Sequence, residues 1–417
     1  MNKNIAVIIL AAGKGERMKS QTPKVLHEIC GRPMLRFVLD LVQVLKVKRT
    51  IAVLGFKHEL VKKELPKEIK ITLQKKMLGT ADAVKHALSG LKGFKGTVLV
   101  LYGDTPLLTK ETVNKLLKYH INNNLDATLL TANLDKPKGY GRVVRDKYSS
   151  ISQIIEEKDA DDFDKDIKEI NTGIICFNKK SLEDCIREIK PNNRKKEFYL
   201  TDIINILYKK NKLVDAVKLD DVNEAMGINS RLELAKANRI MQKRINEKLM
   251  LAGVTIVDPD STFISYNVLI GVDSVIYPFT VIDRDVTIGK RCFIGPFAHL
   301  RSGSRLSDEV TAGNFLEVVR TKIGANTFVK HFSYLGDSSV GSGVNIGAGT
   351  ITANFDGVNK GETIIKDKAL IGSDTILVAP VKVGKQAVTG AGSVVINNVP
   401  DKMVVVGVPA RILKKGK

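Results

Sequence analysis

The chain has no tryptophan, its aromatic content is only 6%, and four cysteines and six histidines are all that 417 residues contain. Each scarcity excludes something. Cys30, Cys176, Cys185 and Cys292 form no CxxC pair and show no zinc-ligand spacing, so neither a disulfide framework nor a structural metal is expected. Each reads as a small buried hydrophobe rather than a nucleophile. The few aromatics make poor platforms for stacking bases. No apolar run approaches the length of a membrane span, and the run Ile5 to Ile9 is too short for the core of a secretion signal. A cytoplasmic protein without membrane insertion is therefore expected. Acidic residues are also in deficit, 45 against 66 Lys and Arg, for a formal net charge of +21. The lysines are spread along the whole chain and are not interleaved with aromatics, which predicts a solvated basic surface around anionic substrates rather than a nucleic-acid interface.

What the chain does contain begins almost at once. The apolar run Ile5 to Ile9 is followed by LAAGKGERMKSQTPK, Leu10 to Lys24, which reads as a strand running into a phosphate-binding loop. Ala11, Ala12, Gly13 and Gly15 let backbone N–H groups approach an anion, the chain after them is expected to open a helix, and Lys14, Arg17 and Lys24 supply cations. Two commoner nucleotide loops do not fit: Met18 replaces the third glycine of the dinucleotide fingerprint, and no Gly-Lys-Ser/Thr follows at P-loop spacing. By itself the loop leaves UTP, TTP, GTP and ATP open.

Two periodicities divide the chain. Up to about Val222, apolar strands (IAVIIL, TIAVLGF, GTVLVLYGD, DATLLTANL, TGIICFN) alternate with helical stretches Leu35 to Leu45, Thr80 to Leu88 and Thr109 to His120. This predicts an α/β, Rossmann-like domain over 1–224, its mostly parallel sheet covered on both faces and ligands held at the strand ends, where the loop and Asp104 lie. Asn229 to Leu251 reads as one helix, within a linker arm over 225–252. From about Thr255 aliphatic or small residues recur every sixth position, as in Ile288, Ile294, Leu300, Leu306 and later Ile371, Leu377, Val383, Thr389, Val395. A period of six predicts a parallel β-helix over 253–417, with a looped-out insertion at Ala353 to Thr363.

The segments LAAGKGERM, LQKKMLGTADAV, LYGDTPLL, GYGRVVR, EINTG and FYLTDII, with IGPFAHLRSG, KHFSYLGD and VNIGAGTITANFDG in the second half, resemble the bacterial bifunctional N-acetylglucosamine-1-phosphate uridylyltransferases / glucosamine-1-phosphate N-acetyltransferases over nearly the whole chain. The resemblance implies a left-handed β-helix and a homotrimer. It implies two steps: acetyl transfer from acetyl-CoA to glucosamine-1-phosphate, then uridylyl transfer from UTP to N-acetylglucosamine-1-phosphate. For the uridylyl site it implies Leu10, Ala11, Ala12 and Gly13 at the nucleotide, Arg17 and Lys24 at its phosphates as catalytic cations, and Gln74, Gly79 and Thr80 at uracil. Tyr102, Gly103, Gly141, Glu156 and Asn171 would hold the sugar, with Asp104 and Asn229 binding Mg²⁺. Two plainer roles are open to that last pair, as caps of neighbouring helices.

For the acetyl site the resemblance implies His331 as general base, suited by a pKa near neutrality. Arg301, Tyr334, Asn345 and Asn354 would bind the sugar phosphate, and Ala348, Ser373 and Ala391 would line the acetyl-CoA groove. Val319 departs from the family, which has a phosphate-binding lysine there, and Phe355 stands where tyrosine is usual. Successive strand residues face opposite sides, so Arg320 on a regular strand cannot take over from Val319. Val319 favours a second reading, in which nucleotidyl transfer remains and the β-helix serves mainly for trimerisation.

Overall fold

The computed structural model describes residues 4–413. The chain forms two units, Met1–Asn238 and Arg239–Lys417, with the division falling inside the arm helix. The extreme ends of the two expected domains, residues 1–3 and 414–417, lie outside the described residues.

In the first unit the elements follow as β1 (Ile5–Ala11), α1 (Met34–Leu45), β2 (Arg49–Leu54), β3 (Lys70–Leu73), α2 (Thr80–Leu88), β4 (Thr97–Tyr102), α3 (Lys110–Asn122), β5 (Ala127–Asn133), β6 (Gly141–Arg145), β7 (Ile151–Ile155), β8 (Glu169–Asn178), α4 (Lys179–Ile186), α5 (Asp202–Lys209), β9 (Val214–Lys218) and α6 (Arg231–Leu251). The main sheet runs β9-β5-β8-β4-β1-β2-β3, with β6 beside β8 and β7 beside β6. All seven residues of β1 are buried because it lies inside this sheet, parallel to β2 and β4. Its side chains alternate between two cores: Ala6, Ile8 and Leu10 enter one face, Ile5, Val7, Ile9 and Ala11 the other. Two strands run against the parallel order: β8, antiparallel to both β4 and β5, and β7, antiparallel to β6. Helix α1 covers one face through Leu35, Val38, Leu39, Val42 and Leu45, the stripe a 3.6-residue period produces.

The loop after β1 differs from expectation. No helix opens there; Glu16–Met18 make a single 3-10 turn. The backbone explains this, since Gly15 (φ 67°) and Lys19 (φ 46°) flank the turn in the left-handed region and Pro23 then fixes an extended link.

In the second unit short parallel strands stack into three sheets of ten, eight and seven strands. Ile276 pairs with Ile294, Ile282 with Leu300 and Ile288 with Leu306, eighteen positions apart, so three six-residue steps close one coil. The aliphatic positions named by the sequence period all lie in the interior, Thr389 included. The corners fall every sixth residue as well: Asn267, Asp273, Phe279, Asp285, Arg291 and Phe297 all have positive φ. That conformation costs an L-residue about 1–2 kcal/mol, less for Asn and Asp, and the stacked coils hold it. The insertion loops out as expected, with Phe355 to Lys360 exposed and the loop closed by the Phe355–Lys360 bridge and by Gly361 N–H donating to Asn354 O at 2.8 Å. The later part of α6 covers the first coil: Gln242 Nε2 donates to Ile264 O at 3.2 Å, Asn246 Nδ2 to Pro259 O at 2.9 Å, and Ile245, Leu249 and Met250 pack on the core. Among the described residues no helix is long and apolar enough to cross a membrane.

Candidate active sites

In the first unit, three residues remote in sequence meet at one point. Lys24 Nζ donates to Asn229 Oδ1 at 3.0 Å and is ion-paired with Asp104 Oδ2. Both members of the ion pair are nearly enclosed, with side chains 14% and 12% exposed. Asp104 reaches this point from the end of β4, and its carbonyl accepts from Ile228 N–H at 3.0 Å, which ties the strand end to the segment carrying Asn229. The Asn229 amide is oriented by its own bonds: Nδ2 donates to Gly227 O at 3.2 Å, leaving Oδ1 towards Lys24.

Neither plainer role holds for this pair. Thr109 caps α3, accepting from Thr112 N–H, so Asp104 does not. At α6, Ser230 Oγ accepts from Glu233 N–H at 3.3 Å, while Glu233 Oε2 accepts from Asn229 N–H and Ser230 Oγ–H. Two oxygen donors converging on one cationic atom suit a hard divalent cation that takes its remaining ligands from water and substrate phosphate. Among the described residues no cluster of three or more His, Cys, Asp or Glu offers a richer metal site.

The glycine loop borders this point. Gly15 packs so closely on Lys24 that a Cβ would lie 2.6 Å from the Lys24 Cβ, whereas Gly13 opens onto free space. Leu10 is the register partner of Tyr102, and its carbonyl accepts from Gly103 N–H at 2.9 Å; Ala12 O accepts from Phe56 N–H. Ala11 faces Gly103, whose added Cβ would meet it at 3.3 Å. Arg17 stands exposed on the 3-10 turn, and Lys14 pairs with Glu16 at 3.3 Å. The structure bonds neither cation to the Lys24 cluster.

Beyond β3, buried Gln74 donates through Nε2 to Gly79 O at 3.0 Å and Asp82 Oδ2 at 2.8 Å. Gly79 has φ 116°, and a Cβ there would strike Phe198 O at 2.4 Å. Thr80 Oγ1 accepts from Leu200 N–H at 2.9 Å. These bonds dock the start of α2 against the segment preceding α5.

The remaining residues gather around Tyr102. Gly141 and Asn171 are register partners, and Asn171 Oδ1 accepts from Gly173 N–H at 3.1 Å. Gly173 (φ 85°) leaves no room for a side chain, since a Cβ would lie 2.9 Å from the Tyr102 ring. Glu156 Oε1 accepts from Thr201 Oγ–H at 2.9 Å, and burial raises its carboxyl pKa. The Tyr102 phenol is raised too, by burial first and then by Glu156 and Asp104. Thr201, Gly173 and Asp82 were not singled out from sequence, although they lie inside the FYLTDII, EINTG and LQKKMLGTADAV segments respectively.

In the β-helix the predicted residues divide into three groups. Tyr334 and Asn354 meet over Gly336, where an added Cβ would lie 2.5 Å from the Tyr334 hydroxyl and 2.8 Å from Asn354 Nδ2. Asn354 is held by Asp337, which also accepts two bonds from Arg320. Arg301 pairs with Glu317 at 2.9 Å on the strand face that also carries Tyr334, since Glu317 and Tyr334 are register partners. Ala348, Ser373 and Ala391 follow one another along an edge. Ala348 O accepts from Asp374 N–H at 2.7 Å, Ser373 O accepts from Gly392 N–H at 2.8 Å, and Gly372 packs near Ala391 N. Asn345 projects from a strand between Phe328 and Leu370, and His331 is exposed just before the Tyr334 strand. Among the described residues no hydrogen bond joins His331 to the others.

Val319 is buried, 3% exposed. Arg320 has φ 48° and lies beyond the strand Leu316–Val319, so strand alternation does not govern its direction. None of the four cysteines is in a disulfide among the described residues, and burial pushes each thiol up, Cys30 to about 12.

Residues 7–168 match the MobA-like NTP transferase domain. The bifunctional protein GlmU of Thermosipho africanus is 45% identical, covering 98% of this chain and 96% of that protein. The GlmU proteins of a Geobacillus species and of Clostridioides difficile are 44% and 41% identical, covering 94% and 99% of this chain and 93% and 97% of theirs.

Proposed function

The chain belongs to the family of bifunctional GlmU proteins, and from that membership we propose how its two units divide the synthesis of UDP-N-acetylglucosamine. It is a bifunctional enzyme: it transfers acetyl from acetyl-CoA to glucosamine-1-phosphate, then uridylyl from UTP to N-acetylglucosamine-1-phosphate with release of pyrophosphate. The observation that carries the assignment of the second step to the first unit is the meeting of Lys24, Asp104 and Asn229 at the end of β4, beside the glycine loop.

In uridylyl transfer a phosphate oxygen of the sugar attacks the α-phosphorus of UTP and pyrophosphate leaves. The nucleophile is already anionic, so no general base is needed and the residues act by alignment and charge neutralisation. Lys24 and Arg17 bind phosphate oxygens, the exposed Arg17 closing on the substrate from the turn. Gln74, Gly79 and Thr80 read the uracil edge. Tyr102, Gly103, Gly141, Glu156 and Asn171 surround the sugar, with Leu10, Ala11, Ala12 and Gly13 against the nucleotide. Asp104 and Asn229 hold Mg²⁺, which supplies Lewis-acid neutralisation of the phosphates when bound.

In acetyl transfer His331 takes a proton from the sugar ammonium. The freed amine attacks the thioester carbonyl, the C–S bond breaks, and the thiolate leaves to be protonated as CoA. Arg301, Tyr334, Asn345 and Asn354 hold the amino sugar phosphate, and Ala348, Ser373 and Ala391 line the acetyl-CoA groove.

The β-helix supports assembly as a homotrimer. Phe279, Phe297 and Phe315 stack at one corner with centroids 4.9 and 5.1 Å apart and remain 46–60% exposed, an apolar stripe suited to another copy of the chain. Four cysteines outside any disulfide support a reducing cytoplasm.

The test uses the purified full chain. Pyrophosphate release from UTP and N-acetylglucosamine-1-phosphate, and CoA thiol release from acetyl-CoA and glucosamine-1-phosphate, are both expected. Pyrophosphate release without thiol release would leave the β-helix as an assembly module.

A further inference from the structure

At one corner of the β-helix three successive coils place Arg320, Asp337 and Asn354 in a column. Arg320 and Asp337 both sit at positive φ, 48° and 49°. Arg320 donates through Nε to Asp337 Oδ1 at 2.5 Å and through Nη2 to Oδ2 at 2.7 Å, a two-bond fork. Asn354 Nδ2 donates to the same Oδ2. Arg320 and Asn354 both hold the Asp337 carboxyl below the usual carboxylate range, Arg320 the more strongly.

The chemistry of this column is directional. An ionised carboxylate only accepts, so Asp337 selects the NH₂ end of the Asn354 amide and leaves its Oδ1 as an acceptor. Asn354 is itself 8% exposed and lies with the Tyr334 hydroxyl over Gly336. A substrate amine needs an acceptor of this kind to aim its lone pair, and a flipped amide would present a donor instead. The residue before Arg320 contributes nothing polar, since Val319 is buried and paired in register with Gly336.

We propose that Arg320 is a positioning residue for acetyl transfer, fixing Asp337 so that Asp337 in turn fixes the orientation of the Asn354 amide. The inference rests on the acetyl-transfer reading above. A cavity of about 280 Å³ beside the column, with Lys322 and Lys360 in its wall, leaves Arg320 reachable by solvent, so the fork and not burial holds the guanidinium in place.

The test compares wild type, Arg320→Met, Arg320→Lys, Asn354→Ala and the Met/Ala double variant by CoA thiol release. Arg320→Met is expected to raise KM for glucosamine-1-phosphate about tenfold, the size of one lost charge-assisted contact, while KM for acetyl-CoA stays within about twofold. Arg320→Lys, which keeps the charge but not the fork, recovers part of the loss. In the Asn354→Ala background Arg320→Met adds no more than about twofold, because the two act through one amide. A full additional loss in that background, an equal rise in KM for acetyl-CoA, or no effect of Arg320→Met at all overturns the proposal. Should Arg320→Met lower the thermal midpoint, the lysine rescue and the KM split still separate positioning from mere folding. Silence of the wild type itself refutes the acetyl-transfer reading and the inference with it, and is recognised because all five proteins are then equally inactive while pyrophosphate release persists.

Discussion

Asp104→Asn isolates one charge in the most enclosed part of the uridylyl site. The substitution keeps the volume and one acceptor oxygen but leaves the Lys24 ammonium facing two neutral amides, its own distance to Asn229 Oδ1 being 3.0 Å. Breaking a fully buried ion pair costs about 3–5 kcal/mol; with both side chains slightly exposed and an acceptor retained, about 2 kcal/mol is expected. For a unit ending at Asn238 this corresponds to a fall of about 4–8 °C in thermal midpoint. Catalysis should suffer more than stability. Losing one preorganised charge at a reacting phosphate costs about 10²–10³ in rate, since Lys24 is left without the carboxylate that positions it and the proposed hard-cation site would lose its carboxylate ligand. The assay is pyrophosphate release under saturating UTP, with CoA thiol release as the control for the other unit. Turnover within tenfold of wild type would remove Asp104 from the reaction. An unchanged midpoint would mean that solvent screens its pair with Lys24.

Further outcomes follow from buried titrating groups and from the solenoid corner. Asp202 is pushed up to about 6 by burial and by the nearby Glu156 and Asp159, so the folded state binds its proton more tightly than the unfolded chain and loses stability as pH rises from about 4 to 6. Asp202→Asn should therefore raise the urea midpoint above pH 6 and leave it unchanged below about pH 4. His120 behaves in the opposite sense: burial lowers it to about 4 while its Nδ1 lies 2.8 Å from Thr128 Oγ, so stability present above pH 6.5 is lost on acidification to pH 4. The loss is at most about 3 kcal/mol, and His120→Gln should flatten that limb of the urea midpoint against pH. Phe297→Glu places a charge in the stacked phenylalanine column and should yield monomers by light scattering, with thiol release reduced and pyrophosphate release retained.

Legibility in the sequence followed the range of the interactions concerned. Strand β1 and the sixfold period of the β-helix could be read directly, because a run buried on both faces and a stacked interior each impose a local pattern on side chains. The antiparallel direction of β8 was not legible, since an apolar strand looks the same whichever way it pairs. Nor was the missing helix after the glycine loop, which depends on Lys19 accepting a positive φ that nothing in its side chain announces. At the uridylyl site residue types pointed to phosphate and metal chemistry. That Lys24 meets Asn229 across 205 residues became visible only in three dimensions.

The two sites also differ in how they respond to substitution, for a reason that lies in the scaffolds. Around Tyr102 and Gly79 the walls are close: a Cβ on Gly173 would lie 2.9 Å from the Tyr102 ring, and one on Gly79 would strike the Phe198 backbone, with φ positive at both glycines. Such positions do not accept a side chain without movement of the neighbour and strain in the backbone. In the β-helix every coil returns the chain to the same place, and a corner residue in the left-handed region escapes strand alternation. Val319 and Arg320 illustrate this. Val319, on the strand, is buried and apolar, while Arg320, one residue later at φ 48°, forks onto Asp337, which also holds Asn354. A corner of the repeat scaffold thus presents a polar side chain next to a buried strand position, whereas around Tyr102 and Gly79 the close-packed glycines leave no room for one.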